Sequence, residues 1–406
     1  MKYSTKRFSL PIALSLFLVF VFALAACSGS GSGNGSSSTP TTSTGANATK
    51  TASSSNLTPT TTPQIQLGTQ PCPTTVKNPT HWDTIIPTQA NVNKVENVVC
   101  GNLIGTPTLQ ALVTVRAFGT GAILDVYVYN HITDPSPTQI FKLQNLYKGD
   151  ARISVYNTVL TAEVDFASSV NKNSKANATL VVDLFREFKW SDGAGTLVPV
   201  TFPGIFPDLT RYQAEAAQQQ VNQGQQPWRL SATQTAQALA ANQNLLKWSP
   251  NAPATLVSGG GQHDADAVVN VKSGSPGGGS IVVNMSRLEG NTNGGIWEVT
   301  SVTTNGMSLT SPQARNRLSS PVTVNGTGTA FEGKVGKVFV LDHLYTVVGQ
   351  ADATGANGTG TTPFSTNVNY TSTFKNGTEE GLLMFYSYSN ADGSINGAVM
   401  MKEMLG

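Results

Sequence analysis

The sequence predicts a mainly β, multidomain fold: an antiparallel β-domain over 71–203, an α+β domain over 204–308 with two helices on an antiparallel sheet, and a β-sandwich over 311–406. Three observations predict it. Short β-branched and aromatic runs, broken by turn residues, lie on both sides of a single helical stretch. The connections between those runs are too short for crossover helices, which makes the strands antiparallel. Only 12% of the residues are charged while 39% are hydrophobic, which excludes charge-driven disorder, and 406 residues suffice for two or three cores.

The elements justify themselves in chain order. Lys2, Lys6 and Arg7 precede an apolar run from Phe8 to Leu24 broken only by Ser9, Pro11 and Ser15, so residues 1–26 read as a secretory signal, with a membrane-spanning anchor as the competing reading. Leu24-Ala25-Ala26-Cys27, followed by Ser-Gly-Ser-Gly, resembles the lipobox of bacterial lipoproteins. The resemblance implies that Cys27 takes a thioether-linked diacylglycerol, becomes the mature N-terminus and holds the protein, through acyl chains such as palmitate, on the extracytoplasmic face of the cell membrane. Residues 27–70 are mostly Ser, Thr, Gly, Pro, Asn and Ala with one charge, Lys50, and read as a disordered tether. With Lys2, Lys6 and Arg7 set aside, 22 basic residues face 23 acidic ones, a balance that does not suit a nucleic-acid binder. Cys72 and Cys100 are left as the one thiol pair, and a disulfide is expected outside the cytoplasm, two buried thiols being the alternative.

In the first domain the runs are 112–118, 123–129, 139–143, 152–155, 159–166 and 179–188, with Leu124, Val126 and Val128 alternating against Ile123, Asp125, Tyr127 and Tyr129. Gly101 to Pro107, then Ala111 to Val115 and Leu124 to Tyr127, weakly resemble the blades of FG-GAP-type lipoproteins, without the acids of their calcium loops. Pro207-Asp208-Leu209-Thr210 opens a helix over 211–223, and Ser231 caps another over 232–247 whose Ala232, Ala236, Leu239 and Leu246 share one face. Strands follow at 254–257, 265–272, 280–288 and 296–303, an order similar in topology to cystatin-like and nuclear-transport-factor-like domains.

From Ser311 the chain is strand and turn. Leu383 and Phe385 face one way and Leu382, Met384 and Tyr386 the other, and Asp392-Gly393 reads as a hairpin turn. Asn-Gly pairs at Asn325, Asn376 and Asn396 read as further turns, and Phe331 reads as core. Ser320-Pro321, the segment Phe331 to Val335, the strand Val338 to Asp342, Phe364, and the run Ser389 to Ser394 together resemble the immunoglobulin-like domain of bacterial spore germination proteins. The resemblance implies an extracytoplasmic binding or spacer module without an assigned active site, self-contained from Ser311 to Leu405.

No catalytic, cofactor-binding or metal-ligating set stands out. His81, His131, His263 and His343 lack zinc spacing. His263-Asp264-Ala265-Asp266 and Asp342-His343 read as polar turns. Arg186, Glu187 and Trp190 precede Asp208, Arg211 and Glu215, whose offsets of 0, 3 and 7 put both acids beside the arginine on one helix face. An ion-pair network joining the first two domains is the expectation, and a pair of acids for sugar hydrolysis the alternative. Tyr127, Tyr129, Tyr386 and Tyr388 read as cross-strand packing, with a sugar-stacking strip as the other reading. Asn-x-Ser/Thr triplets at Asn177, Asn325, Asn357 and Asn376 follow from the Asn-rich and Thr-rich composition. The expected function is a non-enzymatic, membrane-anchored envelope module. Its partners are the bilayer, through Cys27, and another envelope protein or a wall polymer. The alternatives are a wall-polysaccharide hydrolase and, ranked lowest, a solute-binding lipoprotein of a transporter.

Overall fold

Alternation at 123–129 produces a strand whose two faces enter two cores in the computed structural model of the chain, which describes residues 64–275, 278–289 and 294–406. The signal segment, Cys27 and the tether up to residue 63 lie outside the described residues. That strand is the third of a meander: β1 (Asn93–Gly101), β2 (Gln110–Ala117), β3 (Leu124–Asn130) and β4 (Thr138–Leu146). Two helical turns, α1 (Thr74–Lys77) and α2 (Pro79–Trp82), bring Val76 and Trp82 onto its Tyr127 and Tyr129 face. The opposite face, with Leu112, Val126 and Val128, packs on a second meander of β5 (Asp150–Ile153), β6 (Val159–Glu163), β7 (Leu184–Ser191) and β8 (Thr196–Val200). The disulfide Cys72–Cys100 ties the helical turns to β1 with its Cα atoms 5.2 Å apart.

The segment just before Cys72 is docked rather than free. Gln66 N and Gly68 N donate to Asn102 Oδ1 and Asn157 Oδ1 at 2.8 and 2.7 Å, and Gln70 bridges to Cys100. Composition assigned these residues to the tether because main-chain hydrogen bonds leave no apolar pattern.

Thr210 caps α3 (Arg211–Asn222) by accepting from Gln213 N, and Ser231 caps α4 (Ala232–Ala241) by accepting from Gln234 N. The second helix was expected to reach Lys247. It stops at Ala241 because Asn242 turns extended and its side chain accepts from Asn244 N at 2.9 Å. Leu246 enters the same core from the turn that follows. Beneath α4 runs the antiparallel sheet β9 (Ala254–Gly259), β10 (Asp266–Lys272), β11 (Ser280–Ser286) and β12 (Glu298–Thr303).

The last part is a two-layer sandwich. One layer holds β13 (Ser308–Ser311), β15 (Val322–Phe331) and β18 (Thr359–Val368). The other holds β14 (Arg317–Leu318), β16 (Lys334–Leu341), β17 (Val347–Thr354), β19 (Glu379–Tyr388) and β20 (Ile395–Leu405). Val324, Val338, Phe364, Leu383 and Phe385 fill the space between them. The Asp392-Gly393 turn joins β19 to β20 as expected, with Gly393 at φ +71°.

Strand β12 pairs with β20 at Val302 and Met400, so the sheet of the α+β part runs on into the sandwich. The outward residues Leu382, Met384 and Tyr386 therefore share a core with Leu239, Val283 and Trp297. All described residues fall in the unit Thr61–Gly406, and no helix among them is long and apolar enough to cross a membrane.

Two further expectations fail for identifiable reasons. Phe331, read as core, is 51% exposed, because it ends β15 at a tight turn where it pairs with Lys334 and points off the sandwich. Asn325-Gly326 and Asn396-Gly397 lie inside β15 and β20, not in turns. A Cβ on Gly326 would stand 2.3 Å from Ser308 O and 2.8 Å from the Phe364 ring, so that glycine serves close packing between strands.

Candidate functional site

The carboxylates singled out from sequence converge on the junctions between the β-meanders, the helices and the sandwich. Glu187, on β7, accepts from Thr158 Oγ1 at 2.7 Å and from Arg211 Nε, at the start of α3, at 2.9 Å. Glu215, one turn further along α3, accepts from Val155 N at 2.9 Å and lies 3.4 Å from Arg152. This is the expected network between the first two domains. Asp208 is not part of it. The residue precedes the Thr210 cap, so it is off the helix, and it pairs instead with Arg229. Trp190 also stands apart, its indole N–H donating to Asp192 at 2.7 Å. Sequence offered no sign of Glu289, which meets Arg211 Nη1 at 3.2 Å. Burial, with Glu215 and Glu187 adding to it against Arg211, pushes the Glu289 carboxyl up to about 8.

A second cluster joins the α+β part to the sandwich. Arg229, 2% exposed, contacts Asp208 and the fully buried Glu298. Burial and the neighbouring Asp208 outweigh the guanidinium and hold Glu298 well above the usual carboxylate range. Tyr345 OH reaches Ile205 O at 2.9 Å, and Lys402 lies 2.8 Å from Glu380 while donating to Leu209 O. Burial moves that pair toward neutrality, Glu380 up to about 7 and Lys402 below its ordinary value.

A third cluster joins the first domain to the sandwich. Arg186 pairs with Glu163 and lies over the Phe374 ring at 5.0 Å. Next to it, Asp165 and Asp183 meet His343 and Glu379. The Asp342-His343 turn forms as read, since Asp342 Oδ1 accepts from Leu344 N and Thr346 N, both at 2.8 Å. His343 is nonetheless buried, with Nδ1 hydrogen-bonded to Glu379 Oε2. Burial lowers this histidine, but Asp183, Glu379 and Asp342 outweigh it and raise it to about 10. Glu379 Oε1 accepts from Ser372 Oγ at 2.5 Å and Thr373 N at 2.8 Å. Burial alone would raise Glu379, and the hydrogen bond from His343 leads the contacts that hold it below its ordinary value.

The remaining candidates are local. Asp264 Oδ2 accepts from Gly261 N at 2.8 Å, the polar turn expected around His263. Tyr127, Tyr129 and Tyr386 are buried, and Tyr388 alone of the four reaches solvent. With Phe331 it borders a groove of about 810 Å³ at one end of the sandwich, whose walls include Thr304, Lys337, Asp352 and Asn396. Asn396 Oδ1 is buried there without a hydrogen-bond partner.

Comparison with known proteins bears on one part of the chain. No curated protein matches it. A solved structure of a Dyadobacter fermentans protein of unknown function is 11% identical, over 73% of this chain and 91% of that one, but its TM-score of 0.18 is too low to define a fold. Residues 307–394 match the family described as the immunoglobulin-like domain of bacterial spore germination. The five sequence features quoted for that resemblance all fall inside the matched residues, and the C-terminal sandwich is an immunoglobulin-like domain of that type.

Proposed function

We propose that the protein is a non-catalytic binding or structural module of the bacterial cell envelope, anchored in the membrane by acylated Cys27 and facing outward. One observation supports this best: Glu187, Asp208 and Glu215, the acids that could have served a hydrolase, are each engaged by an arginine. The immunoglobulin-like domain supplies a module of the binding kind, and the groove beside Phe331 and Tyr388 offers two exposed rings and amide groups to a wall polymer. Alkyne-tagged palmitate should label the wild type and not Cys27→Ser, and the protein should co-sediment with purified cell wall while releasing no soluble sugar. Unlabelled wild type would defeat the anchor, and failure to co-sediment would defeat the wall polymer as partner. A second reading, polysaccharide hydrolysis, has in its favour the Glu289 carboxyl, which burial raises to about 8 close to Glu187 and Glu215. Sugar release that Glu215→Gln abolishes would establish it.

A further inference from the structure

The cluster where the first domain meets the sandwich holds more negative charge than its cations balance. Asp165, Asp183, Asp342 and Glu379 are all at least nine-tenths buried. Among the described residues, no lysine or arginine pairs with any of them, since Arg186 is committed to Glu163. Asp165 Oδ2, Asp183 Oδ2 and His343 Nε2 have no hydrogen-bond partner. Unpaired buried oxygens of this kind are costly to leave empty-handed. One donor atom from each of Asp165, His343 and Glu379 lies within 4.8 Å of the other two. These residues come from three separate segments: Asp165 just after β6, His343 just after β16, and Glu379 at the start of β19.

We propose that Asp165, His343 and Glu379 bind a divalent transition-metal ion, Zn²⁺ suiting the donors best, as a link between the first β-domain and the immunoglobulin-like domain. One imidazole and two carboxylates form a mixed nitrogen and oxygen set, which zinc accepts and which Ca²⁺, with its preference for oxygen alone, does not. On binding, the ion replaces the proton shared by His343 Nδ1 and Glu379 Oε2. The ring then carries its proton on Nε2, which stands 3.7 Å from Asp183 Oδ2, too far for a hydrogen bond until the site closes. Asp183 is thereby a positioning residue, in the arrangement by which a carboxylate orients a metal-bound histidine.

The test uses the full-length protein. After incubation with Zn²⁺ and gel filtration it should retain about one equivalent by elemental analysis, its Tm should fall when a chelator is added, and Co²⁺ in place of Zn²⁺ should show the intense visible band of low coordination number. Asp165→Asn and His343→Gln should each lower Zn²⁺ affinity at least tenfold. Because both substitutions are buried, the metal content and Co²⁺ spectrum of the wild type decide the question even if a variant fails to fold. No retained metal with an unchanged Tm would overturn the proposal, leaving His343 as a protonated clasp between carboxylates. Retention of Ca²⁺ in preference to Zn²⁺ would overturn the assignment of His343 as a ligand.

Discussion

Replacing Arg229 by methionine removes the cation shared by Asp208 and Glu298 while roughly keeping its volume. The side chain is 2% exposed and Glu298 is fully buried, so water cannot substitute for the guanidinium. Removing one partner of a buried ion pair costs about 3–5 kcal/mol, because the other charge stays behind uncompensated. Burial holds the Glu298 carboxyl well above its ordinary range, which makes proton uptake the easier response to loss of the guanidinium, so the lower end, about 3 kcal/mol, is expected. For a chain of 406 residues, whose unfolding entropy is proportionately large, that corresponds to a fall in Tm of roughly 3–5 °C. Thermal unfolding of Arg229→Met followed by circular dichroism measures it. Adding Asp208→Asn and Glu298→Gln should restore most of the loss, since a neutral cluster needs no counter-charge. A single variant within about 1 kcal/mol of wild type at pH 7, or a triple variant less stable than the single one, would refute the reasoning.

The other expectations follow from contrasts within the fold. Phe331→Ala should shift stability by less than about 1 kcal/mol because the ring is exposed, whereas Phe385→Ala, fully buried between the layers, should cost about 3–5 kcal/mol by chemical denaturation. Glu403 is buried with both carboxylate oxygens unpartnered, and burial raises it to about 8. The raised folded value means that its stabilising contribution is complete below its ordinary value and is lost as pH climbs through 8, so Glu403→Gln should raise Tm at pH 8.5 and leave it nearly unchanged at pH 4. A fragment from residue 307 to 406 should bind the dye ANS or self-associate, because Leu382, Met384 and Tyr386 lose the core they share with Trp297. A monomeric, dye-silent fragment would show that the sandwich is self-contained, as its sequence suggested.

What was legible in the sequence was whatever repeats with a short period or caps an end. Alternation at 123–129 and 382–386 assigned both faces of β3 and β19, and Thr210 and Ser231 marked helix starts that their side chains do cap. The two faces of β19 were visible, yet nothing local said that both would be covered, since Leu239, Val283 and Trp297, which cover the Leu382, Met384 and Tyr386 face, lie more than 80 positions away. Gly326 looked like half of a turn because Asn-Gly is a turn signal, whereas the close approach of β13 that requires it is a long-range fact. The carboxylate clusters were half legible. Glu187, Arg211 and Glu215 could be grouped because they are near in sequence, but Asp165 and Asp183 meet His343 and Glu379 across about 160 to 210 residues, a distance over which spacing rules carry no information.

The position of β20 in the continuous sheet bears on how the molecule is put together. β20 follows every other described strand in chain order, yet it lies between β19 and β12. Until those eleven residues arrive, β12 and β19 both present unpaired backbone groups along an open edge. A chain emerging N-terminus first cannot close either edge early, so the α+β part and the sandwich must reach completion together. Premature termination before Ile395 would expose two adhesive edges at once, and the last strand acts as the bolt that shuts both.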